Sequence, residues 1–495
     1  MSAFPSSSIG LPRSLNYDLP PSASDSCRSY SINLSPDGIT SVSAPAVPAA
    51  YLTANTLNTF PFNSQVISFS IPSGNSNSVF LDPTHTTLSF SLTYAVSTAS
   101  VTLPVGGTSK LISSAASFFD QLVLYSNNTP LEQVNQYGLL QNYLLQNTVS
   151  LAERTGGISI AMGADSNSAS GLDLSTVAAQ SFRYNFSIPL LSMIGINSDK
   201  LFPVGMVNNL QLQMTTATIL PIITFCTTMT TQAVFSSPFT LSEFSLNLKY
   251  VDIGEMASSM LMSTLPDNRI LYKSSTYTNS QVTIPNGSSG AQQLLLQIRN
   301  TSVKSVFSQF GQSNSVAPQN LISPNGYYDA VNISTNSRQL QVGGMFFPNR
   351  PINDVSRPSE GYVYLIQALG GSIPASLGTV VYREMYNSIG GCALPTGANV
   401  DSGITTVVAT NRTSVGGTDL ASQSAIGFPS GHFHGYDLER LGGVMFSGIN
   451  TRSTPPFLNL NIQNALNATI TCNAWGYSDV VLVFDIASKS VQAFV

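Results

Sequence analysis

The densest chemistry in this chain lies at Gly431-His432-Phe433-His434-Gly435-Tyr436-Asp437-Leu438-Glu439. On a β-strand, residues two apart share a face, so His432 and His434 would point the same way. With a carboxylate from Glu439 they would supply three donors of a tetrahedral zinc site with one open position. Other chemistry is thinner. There are only three histidines, and His85, the third, lies far upstream. No G-x-S-x-G nucleophile elbow occurs. The acids Asp120, Glu132, Glu243 and Glu384 are scattered, whereas glycoside hydrolysis needs two carboxyls about 5–9.5 Å apart. Val105-Gly106-Gly107-Thr108-Ser109-Lys110 is glycine-rich but lacks the G-K-[ST] step that sets a lysine on phosphates, so it reads as a flexible turn.

The pattern H-x-H-x4-E resembles the first motif of the cupins, but the likeness stops there. Four residues rather than five separate Gly427 from His432, Phe446 occupies the place of the glycine expected after Glu439, and no histidine follows His434. The expectation is therefore a loop with partly exposed histidines. No catalytic, cofactor-binding or metal-binding residue is assigned, no cofactor is expected, and the chain reads as a non-enzyme.

Composition points the same way. Of 495 residues only 9% are charged, 19 basic and 24 acidic, while 42% are apolar. Soluble domains usually carry about 25% charged residues. Ser, Thr, Asn and Gln fill the difference, giving an uncharged polar surface that suits close packing against copies of itself, because ion pairs lose hydration when buried. The net charge of −5 and the lack of a Lys/Arg run leave no basic arm for nucleic acid. Apolar stretches such as Val480 to Phe484 are short, far below the roughly 20 residues of a bilayer-spanning helix. The start, MSAFPSSSIGLPRS, shows no secretory signal. Cys27, Cys226, Cys392 and Cys472 are far apart and read as free thiols of a reducing compartment. Asn-x-Ser/Thr triplets, at Asn33 and Asn127 among others, are expected by chance in so Asn- and Ser-rich a chain, and N-glycans are not predicted.

The elements that would position any site are strands. Residues 1 to about 55 are rich in Ser, Pro and Ala and read as an arm, extended or ordered on assembly. Beyond it, period-2 alternation recurs at Ile67/Phe69/Ile71, Leu88/Phe90/Leu92/Tyr94, Phe182/Tyr184/Phe186/Ile188, Leu210/Leu212/Met214 and Phe244/Leu246/Leu248/Tyr250. The second half repeats the style at Val282/Ile284, Leu340/Val342, Leu458/Leu460/Ile462 and Ile470/Cys472/Ala474. One segment differs: Glu132 to Asn147 sets Val134, Tyr137, Leu140 and Leu144 at helical spacing and predicts an amphipathic helix in a long connection. The halves end in an echo, Leu248-Lys249-Tyr250-Val251-Asp252-Ile253 and Leu482-Val483-Phe484-Asp485-Ile486. This predicts an all-β chain of two tandem β-sandwich domains, 56–258 and 259–495, after an N-terminal arm at 1–55.

Four segments then carry a family resemblance. They are Phe80-Leu81-Asp82-Pro83 leading into Leu88 to Tyr94; Phe118 to Tyr125 followed by the Glu132 to Asn147 segment; Arg338 to Pro348, a strand running into an aromatic-Pro turn; and Tyr436-Asp437-Leu438-Glu439 with Ser447 to Thr451 and the strand Leu458 to Ile462. In order and spacing the chain, over about residues 60 to 495, resembles the double jelly-roll major capsid proteins of dsDNA viruses. The resemblance implies two eight-stranded jelly rolls with short helices in long loops. It implies a homotrimeric, pseudo-hexagonal capsomer in an icosahedral virion shell, meeting penton and minor capsid proteins and, in some members, an internal lipid membrane. It implies no sequence-specific nucleic-acid contact. Other readings are an RNA-virus coat, which commonly carries a basic arm, and a secreted carbohydrate-binding β-sandwich, which calls for exposed aromatic platforms where this chain has Trp475 alone.

Overall fold

A computed structural model describes residues 27–44, 64–74, 76–96, 108–111, 114–149, 157–163, 173–174, 177, 179–198, 200–218, 221–225, 236–264, 269–312, 333, 335–370, 432–439, 446–466 and 469–494. In chain order the first half gives β1 (Arg28–Leu34), β2 (Val66–Ile71), β3 (Thr87–Ala95), β4 (Phe119–Ser126), β5 (Thr129–Asn135), helix α1 (Tyr137–Thr148), β6 (Ser181–Pro189), β7 (Leu210–Thr216) and β8 (Phe239–Asp252). Helix α2 (Gly254–Thr264) links it to the second half. There follow β9 (Arg269–Ile284), β10 (Gly290–Leu295), β11 (Val303–Gln312), β12 (Thr335–Val342), β13 (Met345–Ile352), α3 (Pro358–Ala368), β14 (Phe433–Asp437), β15 (Phe457–Ile462) and β16 (Ile470–Asp485).

The pairing is antiparallel and follows one plan twice. The first half has sheets in the order β1-β8-β3-β6 and β2-β7-β4-β5; the second has β9-β16-β11-β14 and β10-β15-β12-β13. Each strand of the second half takes the place of the strand eight earlier, and each hairpin β4–β5 and β12–β13 is followed by a helix. Two eight-stranded Greek-key sandwiches in this order are two jelly rolls. Ser41–Ala44 and Val79–Leu81 add to β8, and Ser490–Phe494 adds to β16.

Alternation produces these strands. In β7, Leu210, Leu212 and Met214 are buried while Gln211 and Gln213 are only half-buried. The first core gathers round Phe90, edge-on to Phe118 and Phe119 at 6.0 and 5.3 Å and near Phe186 and Phe244. Such geometry lets ring edges meet ring faces. The second core holds Phe310, Leu340, Val342, Leu458, Leu460 and Ile470. Gly138 lets α1 sit against the turn before β4, since a Cβ there would stand 2.5 Å from the Ala116 carbonyl oxygen.

Two sequence expectations change. Residues 28–34 and 41–44, read as part of the arm, are strands on β8, with Tyr30 opposite Tyr250 and Ile32 opposite Leu248; the remainder of residues 1–55 lies outside the described residues. The predicted helix begins at Tyr137, because Glu132 to Asn135 is strand, with Glu132 paired opposite Leu124 and Val134 opposite Leu122. Strand pairing overrides a spacing that fits either element. Val105 to Gly107 lies outside the described residues, and Thr108–Leu111 is a short strand.

Candidate functional site

One buried cluster spans both rolls. Phe433, Trp475, Leu482 and Phe484 of the second roll belong to the same buried cluster as Phe90 and Leu140 of the first. Strand β5 lies against β9, and its Leu131, Glu132 and Val134 are buried, Glu132 against Thr276 of β9. Tyr143 of α1 stacks on Phe433 of β14, ring centroids 5.0 Å apart and planes 7° off parallel, and Phe433 stacks in turn on Phe307. Hydrogen bonds thread this apolar contact. Trp475 Nε1 donates to the Asn135 carbonyl at 3.2 Å, and the Tyr272 hydroxyl donates to the Met193 carbonyl at 2.9 Å.

Glu132 is the charged group of this interface. Its Oε2 accepts from the Ser192 hydroxyl at 2.5 Å and the Met193 N–H at 2.8 Å, and its Oε1 accepts from Thr276 Oγ1 of β9 at 2.9 Å. Burial pushes its pKa up to about 7 against the lowering effect of these three donors. Sequence reading took it for one scattered acid among four; its burial comes from β9 packing over β5.

The histidines are not loop residues. His432 immediately precedes β14 and His434 lies within it, and each is 1% exposed. Their Nε2 atoms lie 2.7 Å apart, so one ring donates and the other accepts. Glu439 does not join them; it accepts from the Ser447 hydroxyl at 2.6 Å and lies 3.8 Å from Lys304. The carboxylate beside them is Asp354, whose ligand atom is within 4.8 Å of both imidazoles. Distance would admit a shared cation, but charge does not. Buried Arg338 clasps Asp354 with Nε to Oδ2 at 2.9 Å and Nη2 to Oδ1 at 2.8 Å, and Thr335 donates to the same carboxylate. A divalent ion would stand uncompensated against a guanidinium. The cluster is a hydrogen-bonded ionic network, extended by Arg338 Nη1 to the Tyr436 hydroxyl at 2.9 Å.

The electrostatics follow from burial. Burial raises the Asp354 carboxyl, but the Arg338 charge and hydrogen bonds override it and hold it well below the usual range. Burial drives His434 well below its ordinary value, helped by Arg338 and His432 and opposed by Asp354. Cys472 is pushed up to about 12 by burial, as befits an inert core thiol. Cys472 is a free thiol; Cys226 and Cys392 lie outside the described residues.

The remaining sequence candidates are not brought together. Asp120 accepts from Thr218, and exposed Glu243 pairs with Arg183; Glu384 lies outside the described residues. Sequence reading missed Arg338, quoted only as a strand residue; the signal was an arginine among alternating positions of a core-facing strand.

No family model matches the chain, and no curated protein does. Solved structures do. The quasi-atomic model of the PBCV-1 virus capsid is 11% identical, covers 95% of this chain and 97% of that one, and superposes with a TM-score of 0.53. The Sputnik virophage structure is 12% identical over 94% of this chain and 88% of that one, at 0.54. The Faustovirus major capsid protein is 8% identical over 93% and 91%, at 0.55. At these identities the likeness is one of fold, and the fold of this chain is that of the double jelly-roll viral capsid proteins.

Proposed function

We propose that this chain is the major capsid protein of an icosahedral dsDNA virus, a non-enzymatic building block that forms homotrimeric, pseudo-hexagonal capsomers of the virion shell. The observation that carries the reading is the contact between its own two rolls. The β5–α1 side of the first roll packs on the β9-β16-β11-β14 sheet of the second. This contact joins two different surfaces of equivalent folds, so it is heterologous, and such contacts repeat into rings when the rotation closes. One copy of each surface is left over: the β13–α3 side of the second roll and the β1-β8-β3-β6 sheet of the first. By register Phe347 of β13 holds the place that Glu132 holds in β5, and it is only half-buried where Glu132 is buried. Repeating the contact between copies covers the two left-over surfaces and closes six rolls from three chains. The fold shared with PBCV-1 and Faustovirus capsid proteins supports the same reading, as does a surface poor in charge.

On this reading the first roll ends near residue 258 and the second begins near 259, and the partners beyond self are penton and minor capsid proteins and an internal membrane where the virus has one. The test is the solution mass by size-exclusion chromatography with light scattering. The expected species is three times 52.5 kDa. A monomer refutes the seam.

A further inference from the structure

Strand β14 has two faces with different tasks. Phe433 points toward the first roll and stacks on Tyr143. His432, His434 and Tyr436 belong to the second roll, where His434 meets Phe310 and Tyr436 meets Arg338. Among the described residues the strand, five residues long, lies at the sheet edge and pairs only with β11. Helix α3 lies over it, with Leu365 and Ala368 against Gly435.

We propose that the His432–His434 pair is an acid-sensitive latch: two protons taken up by the pair release β14 from the second roll and part its contact with α1 of the first.

The geometry permits no charged form of the closed pair at low cost. A first proton sets a buried cation near Arg338. A second removes the acceptor nitrogen and turns two N–H groups against each other across 2.7 Å. Among the described residues the charged groups acting on His434 are Arg338 from β12 and Asp354 after β13, with Tyr436 on β14 itself and Cys472 on β16 beside that ion pair. Asp354 is the sole anion among them and is already neutralised by Arg338. His434 Nδ1 has no hydrogen-bond partner, so an added proton there would be unsolvated. Because the closed imidazole binds protons less well than a free one, the open state takes up more protons. Closure is therefore fully supported above the ordinary histidine value of 6.5 and lost as pH falls below it. Glu132, across the same interface, acts in the opposite sense, since protonation relieves its buried charge. Acid opening therefore cannot come from Glu132.

The chain carries its own reporter. Trp475 is its one tryptophan, fully buried, bonded to Asn135 across the interface, with its ring 6.3 Å from Phe433. The experiment follows Trp475 emission of the full-length protein from about pH 8 to about pH 5, in the wild type and in His432→Gln/His434→Gln. The expected result is a red shift in the wild type, steeper than a one-proton curve, and its loss in the variant. An unshifted wild type, or a variant that shifts alike, overturns the latch. If the variant does not fold, histidine-labelled wild type decides by NMR. The signals of His432 and His434 should stay neutral until β14 amides lose exchange protection. Titration of both with protection intact overturns the proposal.

Discussion

Replacing Glu132 by Gln should remove a defined part of the pH dependence of folding. In the native chain Glu132 is 3% exposed and held by three uncharged donors. Burial pushes its carboxyl from the ordinary 4.5 up to about 7 in the folded chain. A carboxyl raised in the folded state releases its proton first on unfolding, so stability falls as pH climbs from 4.5 through 7. At about 1.4 kcal/mol per pH unit the loss approaches about 3 kcal/mol. Gln fits the site with its carbonyl on the Met193 N–H and its amide toward the Thr276 hydroxyl, which can turn to accept. The exchange of bonds costs about 1 kcal/mol. Thus E132Q should be less stable than wild type by about 1 kcal/mol near pH 4.5 and more stable by about 1–2 kcal/mol near pH 8.5. The assay is urea unfolding followed through Trp475. The quantity of interest is the difference between the two proteins at each pH, which cancels every other titrating group. A difference that stays flat, or that grows with the opposite sign, refutes the claim that Glu132 carries buried charge between the rolls.

Other perturbations test neighbouring parts of the argument. Arg338→Met leaves Asp354 buried without its cation and should destabilise by about 3–5 kcal/mol. Adding Asp354→Leu should recover much of that loss in thermal unfolding, since a pair replaced by packed apolar groups is often neutral. Removing residues 1–26 should leave the melting temperature unchanged, whereas removing 1–44 also strips β1 and the Ser41–Ala44 strand from β8 and should lower it measurably.

Much of the fold was legible because a half-buried strand writes its geometry as alternation. Leu210, Leu212 and Met214, or Leu458, Leu460 and Ile462, announce one buried face each, and those residues are buried. The scarcity of charge was equally legible and agrees with an apolar contact between rolls. Strand β1 escaped because both its faces are mostly exposed, leaving Ile32 and Leu34 as a thin signal; its place depends on hydrogen bonds to β8, far away in sequence. The start of α1 was ambiguous because Val134, Tyr137 and Leu140 fit a helical stripe until β4 claims Val134 for the sheet.

The histidine cluster shows where local reading ends. Spacing nominated Glu439, a neighbour in sequence, as the partner of His432 and His434. The folded chain sends Glu439 to Lys304 and Ser447 and brings Asp354, clasped by Arg338, beside the imidazoles instead. The sequence by itself determined that this chain would build β-sandwiches with a weakly charged surface, since periodicity and composition act through neighbouring residues. The tertiary structure alone decided the sheet order, the burial of Glu132 between the rolls and the partners of His432 and His434. Those depend on which distant strands pair, and pairing is settled by the burial and hydrogen-bond satisfaction of the whole molecule at once.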